Sequence, residues 1–559
     1  MELAMLKGVA GKILTIDLTH RTFRVEQVPD EVYRHYLSGL GLGVKILYDR
    51  IPPAADPLGP ENILGFVGGV LTGLNVLFAG RFLVVGKSPL TGGWGDSNCG
   101  GNLAPAIKQC GYDGIFFEGC AGEPVYIYIH EGEISILPAA DLWGKDTVET
   151  EDILIKRHGE RLRVACIGPA GENMVRFAGI ANHHGRVAGR SGLGAVMGSK
   201  NLKALALDGK YRIEAANPDV LKRQNKAVAA FMPKGESKLP GWIFGIVSWV
   251  LSRRKTANRT DGLMPLPLYR KWGTTIGNEV CLVSGDAPVR NWRGRPSIYP
   301  GRVVSPDKLD PARQKAYHCI NCPLACGSIC SLNGSYRETH RPEYETVTAF
   351  GANILNRNLD SIFELNELCN RMGLDTISTG AVVAFAIECY ENGLIDPQST
   401  GGLELKWGDA SAVRKLVEMI ACRQGIGDLL ADGVRRASIR LGEASASFAI
   451  HAGGQELPMH DPRIDPAYGV QYISDPTPGR HTINSTGDYE MHRLWTQVSW
   501  APEPPQSYSK TVKYENSDAN ARMSAAGSMY KAIVDSAGIC LFGAQIGVDR
   551  MGLFDMLNA

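Results

Sequence analysis

Residues 318–330 read His318-Cys319-Ile-Asn-Cys322-Pro-Leu-Ala-Cys326-Gly-Ser-Ile-Cys330. Three or four thiols on one short loop suit a soft metal centre, and the surrounding chain must fold so as to wrap it. Zinc commonly takes two separated ligand pairs, and no second C-x-x-C occurs in the sequence. An iron–sulfur cubane takes three cysteines from one loop and a fourth from afar. Pro323 and Gly327 suit a loop of that kind, whereas Ile329 stands where radical-initiating C-x-x-x-C-x-x-C order would need its third cysteine. Buried, unligated thiols are the alternative, and three cysteines within eight residues argue against it. Spacing leaves the fourth ligand open between Cys330, close in sequence, and the distant Cys540.

The rest of the chain must supply a setting. Its 559 residues, 44% apolar and 21% charged, bury a large core without disulfide staples. The 13 cysteines are odd in number and form no disulfide framework. Met1–Gly11 lacks a secretory pattern, so a reduced, cytoplasmic protein is expected. A net charge of +1 argues against nucleic-acid binding by bulk electrostatics. No apolar run approaches the ~18 residues of a membrane span; Trp242–Leu251, followed by Arg253-Arg254-Lys255, is the longest candidate.

The first ~210 residues read as β-rich. Lys12–Leu18 and Thr22–Glu26 suggest a hairpin, and Ile63–Val67, Phe82–Gly86, Ile115–Glu118, Val125–Ile129, Glu133–Leu137 and Val164–Ile167 are strand-like. The pattern is not a βαβ alternation. From about Asn217 it turns helical, with helices predicted over Leu359–Met372, Thr376–Tyr390 after the cap Asp375, Ala412–Arg423 and Ile426–Leu441. Pro233–Gly277 reads as an irregular insertion.

Glycine is abundant at 65 residues and clusters beside Arg and Lys. Gly80-Arg81…Lys87 leads to Asn98-Cys99-Gly100-Gly101, and His183-His184-Gly185-Arg186 leads to Gly189-Arg190-Ser-Gly192. Bare backbone next to fork-shaped donors suits an anionic, phosphate-bearing cofactor. Neither segment is a P-loop or a strand-anchored G-x-G-x-x-G.

Taken together these stretches resemble the tungsten-containing aldehyde ferredoxin oxidoreductases over essentially the whole chain. Ser38-Gly-Leu-Gly-Leu-Gly43, Lys87-Ser-Pro-Leu-Thr-Gly, Gly111-Tyr-Asp-Gly, Gly189–Lys203, the cysteine loop, Pro342-Glu-Tyr-Glu345-Thr, Asp461-Pro-Arg463 and Asp535-Ser-Ala-Gly-Ile-Cys540 carry the likeness. The resemblance implies an α+β multidomain fold: a β-rich pterin-cradling domain (1–212), a helical domain with the cysteine loop (213–449) and a C-terminal helical domain (450–559). It implies a tungsten or molybdenum bis-molybdopterin, a [4Fe–4S] cluster on Cys319, Cys322, Cys326 and Cys540, and a Mg2+ bridging pterin phosphates through backbone oxygens of Asn98 and Val187. Arg81, Asn98, Gly100, Arg186 and Val187 would face the phosphates. Two D-x-x-G-L-(C/D)-like motifs, Asn370-Arg-Met-Gly-Leu374-Asp375 and Asp535-Ser-Ala-Gly-Ile539-Cys540, would each serve one pterin. Each places a glycine at an expected helix end.

By the same resemblance Glu345 would move the proton and His481, in Gly479-Arg480-His481, would bond the substrate oxygen; Glu343 and His460 are rivals. The implied reaction oxidises an aldehyde to a carboxylate, or runs in reverse, with electrons passing to ferredoxin or an iron–sulfur subunit. A class II benzoyl-CoA reductase-type ring reductase and a cluster-only electron-transfer subunit are the alternatives. Glu364-Leu-Asn-Glu367 lacks the His of the family's E-x-x-H, and the chain stops at Leu557-Asn-Ala559 before the family's usual tail. A hetero-oligomer contacting Trp242–Leu251, rather than an iron-bridged homodimer, is therefore expected.

Overall fold

The computed structural model describes residues 6–332 and 334–559. Twelve strands in the first third of the chain build two six-stranded sheets. The first comprises β1 (Lys12–Asp17), β2 (Thr22–Gln27), β3 (Leu64–Gly68), β4 (Phe82–Lys87), β5 (Trp94–Cys99) and β6 (Gly114–Glu118), in the order β2-β1-β6-β3-β4-β5. The second comprises β7 (Val125–His130), β8 (Glu133–Pro138), β9 (Arg163–Cys166), β10 (Ile180–Asn182), β11 (Arg186–Ala188) and β12 (Leu202–Asp208), in the order β11-β10-β9-β12-β7-β8. Only β1–β6 and β7–β12 run parallel. The predicted β1–β2 hairpin forms in the register Lys12 to Gln27, and Asp17 Oδ1 holds its turn by accepting from the N–H groups of Thr19 and His20.

Alternation explains the layering. Ile16, Phe66, Val84 and Phe117 of the first sheet pack with Ile127, Ala165 and Leu205 of the second in one core. The opposite face of the first sheet, with Ile13, Val67, Val85 and Phe116, buries Tyr33, Leu42 and Leu47 from two short helices. Later helices build a second body around Val347, Leu365, Phe385 and Leu416. A third core joins Phe78 and Ala79 to Leu221, Val228, Tyr530, Ile539 and Met551.

Two glycine turns bind these bodies together. The helix Leu359–Met372 ends at Gly373 with φ +74°, and Asp518–Ala537 ends at Gly538 with φ +79°. Each is the left-handed C-terminal stop expected from its motif. The backbone N–H groups of Val70, Leu71 and Arg81 donate to Ser536, Ala537 and Gly538, while Gly179 N–H donates to Gly373 and Asp375 N–H to Phe177. The β domain therefore clamps both turns.

Two local expectations are corrected. Ile426–Leu441 is two helices, Ile426–Leu430 and Val434–Leu441. Gly433 between them has φ +82°, and Glu456 Oε1 takes the freed Val434 N–H at 2.9 Å. The stretch Pro233–Gly277 is not irregular: it contains the helices Trp242–Arg253 and Leu266–Trp272. Among the described residues no helix is long and apolar enough to cross a membrane.

Candidate active site

The ends of β4, β5 and β11 and the inner faces of the helical bodies enclose a cavity of about 1430 Å³. Its wall includes Arg81, Asn98, Gly100, Arg186 and Val187 from the β domain, and Asn370, Leu374 and Asp375 from the first glycine turn. Cys319, Cys322, Cys326 and Cys540 line it too, as do Glu345, His460 and His481. Asp535 and Ile539 do not. Asp535 reaches the wall through Asn98, whose Nδ2 donates to its Oδ1 at 2.9 Å, and the Ile539 side chain lies in the third core.

Phe78 brings the cysteines together. Its N–H donates to Asn321 O within the loop, and its carbonyl accepts from Cys540 N–H, each at 2.9 Å. Asn321 and Ala325 have positive φ, so the loop coils tightly between its cysteines. The four thiols are free, and Cys322, Cys326 and Cys540 each lie close enough to Cys319 to feel its charge. Burial pushes Cys322 up to about 12 and Cys326 and Cys540 upward as well, so thiolates here need a cation. Cys330 is different: it lies on the strand Gly327–Ser331, fully buried in the second body, and does not line the cavity.

The donor set beside the thiols fits an anion as well as a cluster. Arg186 stacks 4.7 Å from the Tyr317 ring, pairs through Nη1 with Glu343 at 3.0 Å, and keeps a buried Nε without a partner. Arg81 Nε donates to Asn98 Oδ1 at 2.5 Å, and its Nη2 donates to the Asn98 carbonyl at 3.4 Å. A cation on that carbonyl would compete with this bond. A Cβ added at Gly100 would lie 2.6 Å from Cys319 Sγ and 2.8 Å from Arg81 Nη1, so bare backbone is required between cluster loop and guanidinium. Asp375 caps the helix Thr376–Glu391 and pairs with Arg190 at 3.1 Å. Asp535 is flanked by Lys531 and by Arg480, which also pairs with Asp96 at 2.5 Å. The Asp96–Arg480–Lys531 network is not legible in any local motif.

Glu345 opens the helix Tyr344–Phe350 and is 8% exposed. Its Oε2 accepts from Met459 N–H at 2.8 Å. Its Oε1 is buried with no hydrogen bond, 3.4 Å from His481 Nδ1 and 3.5 Å from His460 Nε2. Burial raises the Glu345 carboxyl above its usual range, against the pull of His460. Burial also opposes a charge on His460, but Asp286, 2.6 Å from its Nδ1, prevails and raises it to about 9. Burial and the neighbouring His460 and Arg190 hold His481 far below its usual value. Adjacent groups are thus driven to opposite protonation states, as acid–base sites require. Asp286 has no signal in the sequence, since 174 positions separate it from His460. The rival Glu343 turns instead to Arg186 and Thr274.

Residues 13–209 match the family model "Aldehyde ferredoxin oxidoreductase, N-terminal domain", and residues 253–559 match "Aldehyde ferredoxin oxidoreductase, domains 2 & 3". The tungsten-containing aldehyde ferredoxin oxidoreductase of Pyrococcus furiosus is 35% identical over 556 residues, covering 99% of this chain and 84% of that protein. The "aliphatic sulfonate oxidoreductase, WOR-like subunit" of the same organism is 29% identical over 570 residues, covering 97% of this chain and 80% of that protein. Among solved structures, the active-site complex BamBC of benzoyl coenzyme A reductase with 1,5-dienoyl-CoA superposes with a TM-score of 0.76 at 26% identity, covering 96% of this chain and 82% of that one.

Proposed function

The chain belongs to the aldehyde ferredoxin oxidoreductase family, and from that premise we propose that it converts an aldehyde and water into a carboxylic acid, two protons and two electrons. When bound, a tungsten or molybdenum bis-molybdopterin supplies the two-electron chemistry and a [4Fe–4S] cluster passes electrons on singly. Cys319, Cys322, Cys326 and Cys540 would hold the cluster. Arg81, Asn98, Gly100, Arg186, Val187, Asn370, Leu374 and Asp375 would surround the pterins, Asp535 acting on them through Asn98 and Ile539 packing in the core behind, with Asn98 and Val187 offering carbonyl oxygens to Mg2+. Ferredoxin or an iron–sulfur partner subunit would take the electrons, the latter in a hetero-oligomer.

The observation that carries this reading is the Glu345 carboxyl: buried, with Oε1 unpartnered, between two imidazoles in the cavity that also holds four thiols. A buried carboxyl whose pKa is raised can take up a proton from the reacting group and release it again. Neutral His481 offers a ring N–H to the substrate oxygen. His460, kept charged by Asp286, favours the carboxylate that the reaction produces. The test is anaerobic holoenzyme offered a panel of aldehydes with a viologen dye. Turnover of aldehydes supports the reaction. The benzoyl coenzyme A reductase likeness favours a second reading, reduction of an aromatic acyl-CoA. Binding of benzoyl-CoA with no aldehyde turnover would favour it.

A further inference from the structure

The cavity is divided by chemistry. Cys319, Cys322, Cys326 and Cys540, Arg81 and Arg186, and Glu345, His460 and His481 enter its lining from the β domain, the cysteine loop and the later helices. Along the stretch from Ser237 to Ser284, by contrast, its lining includes a single charged side chain, Arg254. That apolar wall is largely the Trp242–Arg253 helix. Phe244, Val247, Ser248, Leu251 and Ser252 face the cavity, a spacing of i, i+3, i+4, i+7 and i+8 that sets one whole helix face against it. Ile276 and Val280 continue the surface toward Cys281, whose neighbour Asp286 holds His460.

The helix is fixed in place at both ends. Asp307 accepts from the N–H groups of Gly241 and Trp242 at 2.8 and 3.0 Å, and Lys510 Nζ donates to the carbonyls of Leu251 and Ser252 at 2.7 and 3.1 Å. Ser248 Oγ donates to Val280 O at 2.9 Å, and Gly245 lies so close to Glu279 that a Cβ there would be 2.7 Å from its side chain. Yet Val247 and Leu251 remain 45% and 46% exposed. A rigid wall thus keeps apolar side chains wet at a cavity mouth, and covering them with an apolar ligand is favourable. Residues 210–252, which hold most of this helix, fall between the two family-model matches.

We propose that this wall is a binding site for the apolar tail of the substrate, so that the aldehydes served best carry a long alkyl or an aryl group. The proposal rests on the aldehyde reading, with the carbonyl end at Glu345 and His481 and the tail on Phe244, Val247, Leu251 and Val280.

Carboxylates, the product class, report on the wall without turnover. Calorimetric titration of anaerobic holoenzyme with acetate, butyrate, hexanoate and octanoate should show affinity rising about fourfold for each methylene that reaches it, the factor equivalent to about 0.8 kcal/mol per buried methylene. Val247→Asp and Leu251→Asp should flatten the series, and Trp249→Ser, on the outer face, should leave it as in the wild type. A flat wild-type series, or a slope that survives both Asp substitutions, overturns the proposal. The matching aldehydes separate it from the reaction on which it rests. A sloped carboxylate series without aldehyde turnover retains the tail site and refutes the reaction; a flat series with turnover of every aldehyde does the reverse.

Discussion

Glu345→Gln is the sharpest perturbation of the site, because it removes a charge while nearly preserving shape. The amide oxygen of Gln can still accept from Met459 N–H, the one hydrogen bond that Glu345 makes at 2.8 Å. What is lost is the carboxylate beside His460 Nε2 at 3.5 Å and His481 Nδ1 at 3.4 Å. Unit charges about 3.5 Å apart interact by roughly 4–5 kcal/mol at the effective dielectric of about 20 that suits protein sites. A positioned acid–base group contributes about 10²–10⁴-fold, or about 3–5 kcal/mol of barrier. On the acid–base factor, kcat should fall by about 10²–10⁴-fold. The assay is the initial rate of aldehyde-dependent viologen reduction under anaerobic conditions, with variant and wild type matched for iron and tungsten or molybdenum content. Turnover within tenfold of the wild type at equal metal content would refute Glu345 as the proton acceptor.

Three further outcomes are expected. Cys540→Ala should abolish the cluster's visible absorbance and its reduced-state paramagnetic signal, whereas Cys330→Ala, altering a core residue away from the cavity, should keep both; the opposite pattern would make Cys330 the fourth ligand. Gly538→Ala forces a side chain onto φ +79°, with its Cβ 2.4 Å from Thr72 Oγ1, and should cost at least about 1–3 kcal/mol, read as a lowered Tm; Gly122→Ala, with open space around it, should leave Tm unchanged. His492 has two buried, unpartnered ring nitrogens, and burial lowers its pKa to about 3. The unfolded chain, with a His pKa near 6.5, therefore binds this proton first, and stability falls as pH drops below about 6.5, by roughly 2 kcal/mol at pH 5. His492→Phe should diminish that loss in urea midpoints measured at pH 7 and pH 5, and an unchanged pH dependence would exclude His492 as a contributor.

Much of the fold is legible where physics is local. Strand runs such as Phe82–Gly86 are short, continuous apolar segments buried on both faces, and helix ends such as Gly373 and Gly538 carry the residue their backbone demands. The cysteine loop announces a metal centre because three thiols share eight residues. Its fourth ligand is different: spacing cannot separate Cys330 from Cys540, whereas the fold buries Cys330 away from the cavity and ties Cys540 to the loop through the Phe78 backbone. Asp286 stays hidden for the same reason, as its partner His460 is brought to it by tertiary packing. The Trp242–Arg253 helix reads as irregular because Pro and Gly punctuate the stretch around it, while its end partners, Asp307 and Lys510, are remote in sequence. The predicted single helix Ile426–Leu441 fails at Gly433, where Glu456 pays for the break by accepting the Val434 N–H.

The proposed chemistry depends on one cavity holding both a cluster and a pterin-bound metal. Elemental and cofactor analysis of the anaerobically purified holoenzyme addresses this directly. The expected result is about four iron atoms with matching acid-labile sulfide per chain, together with tungsten or molybdenum and extractable pterin. Iron and sulfide without tungsten, molybdenum or pterin would contradict it, and would instead describe a subunit that only transfers electrons.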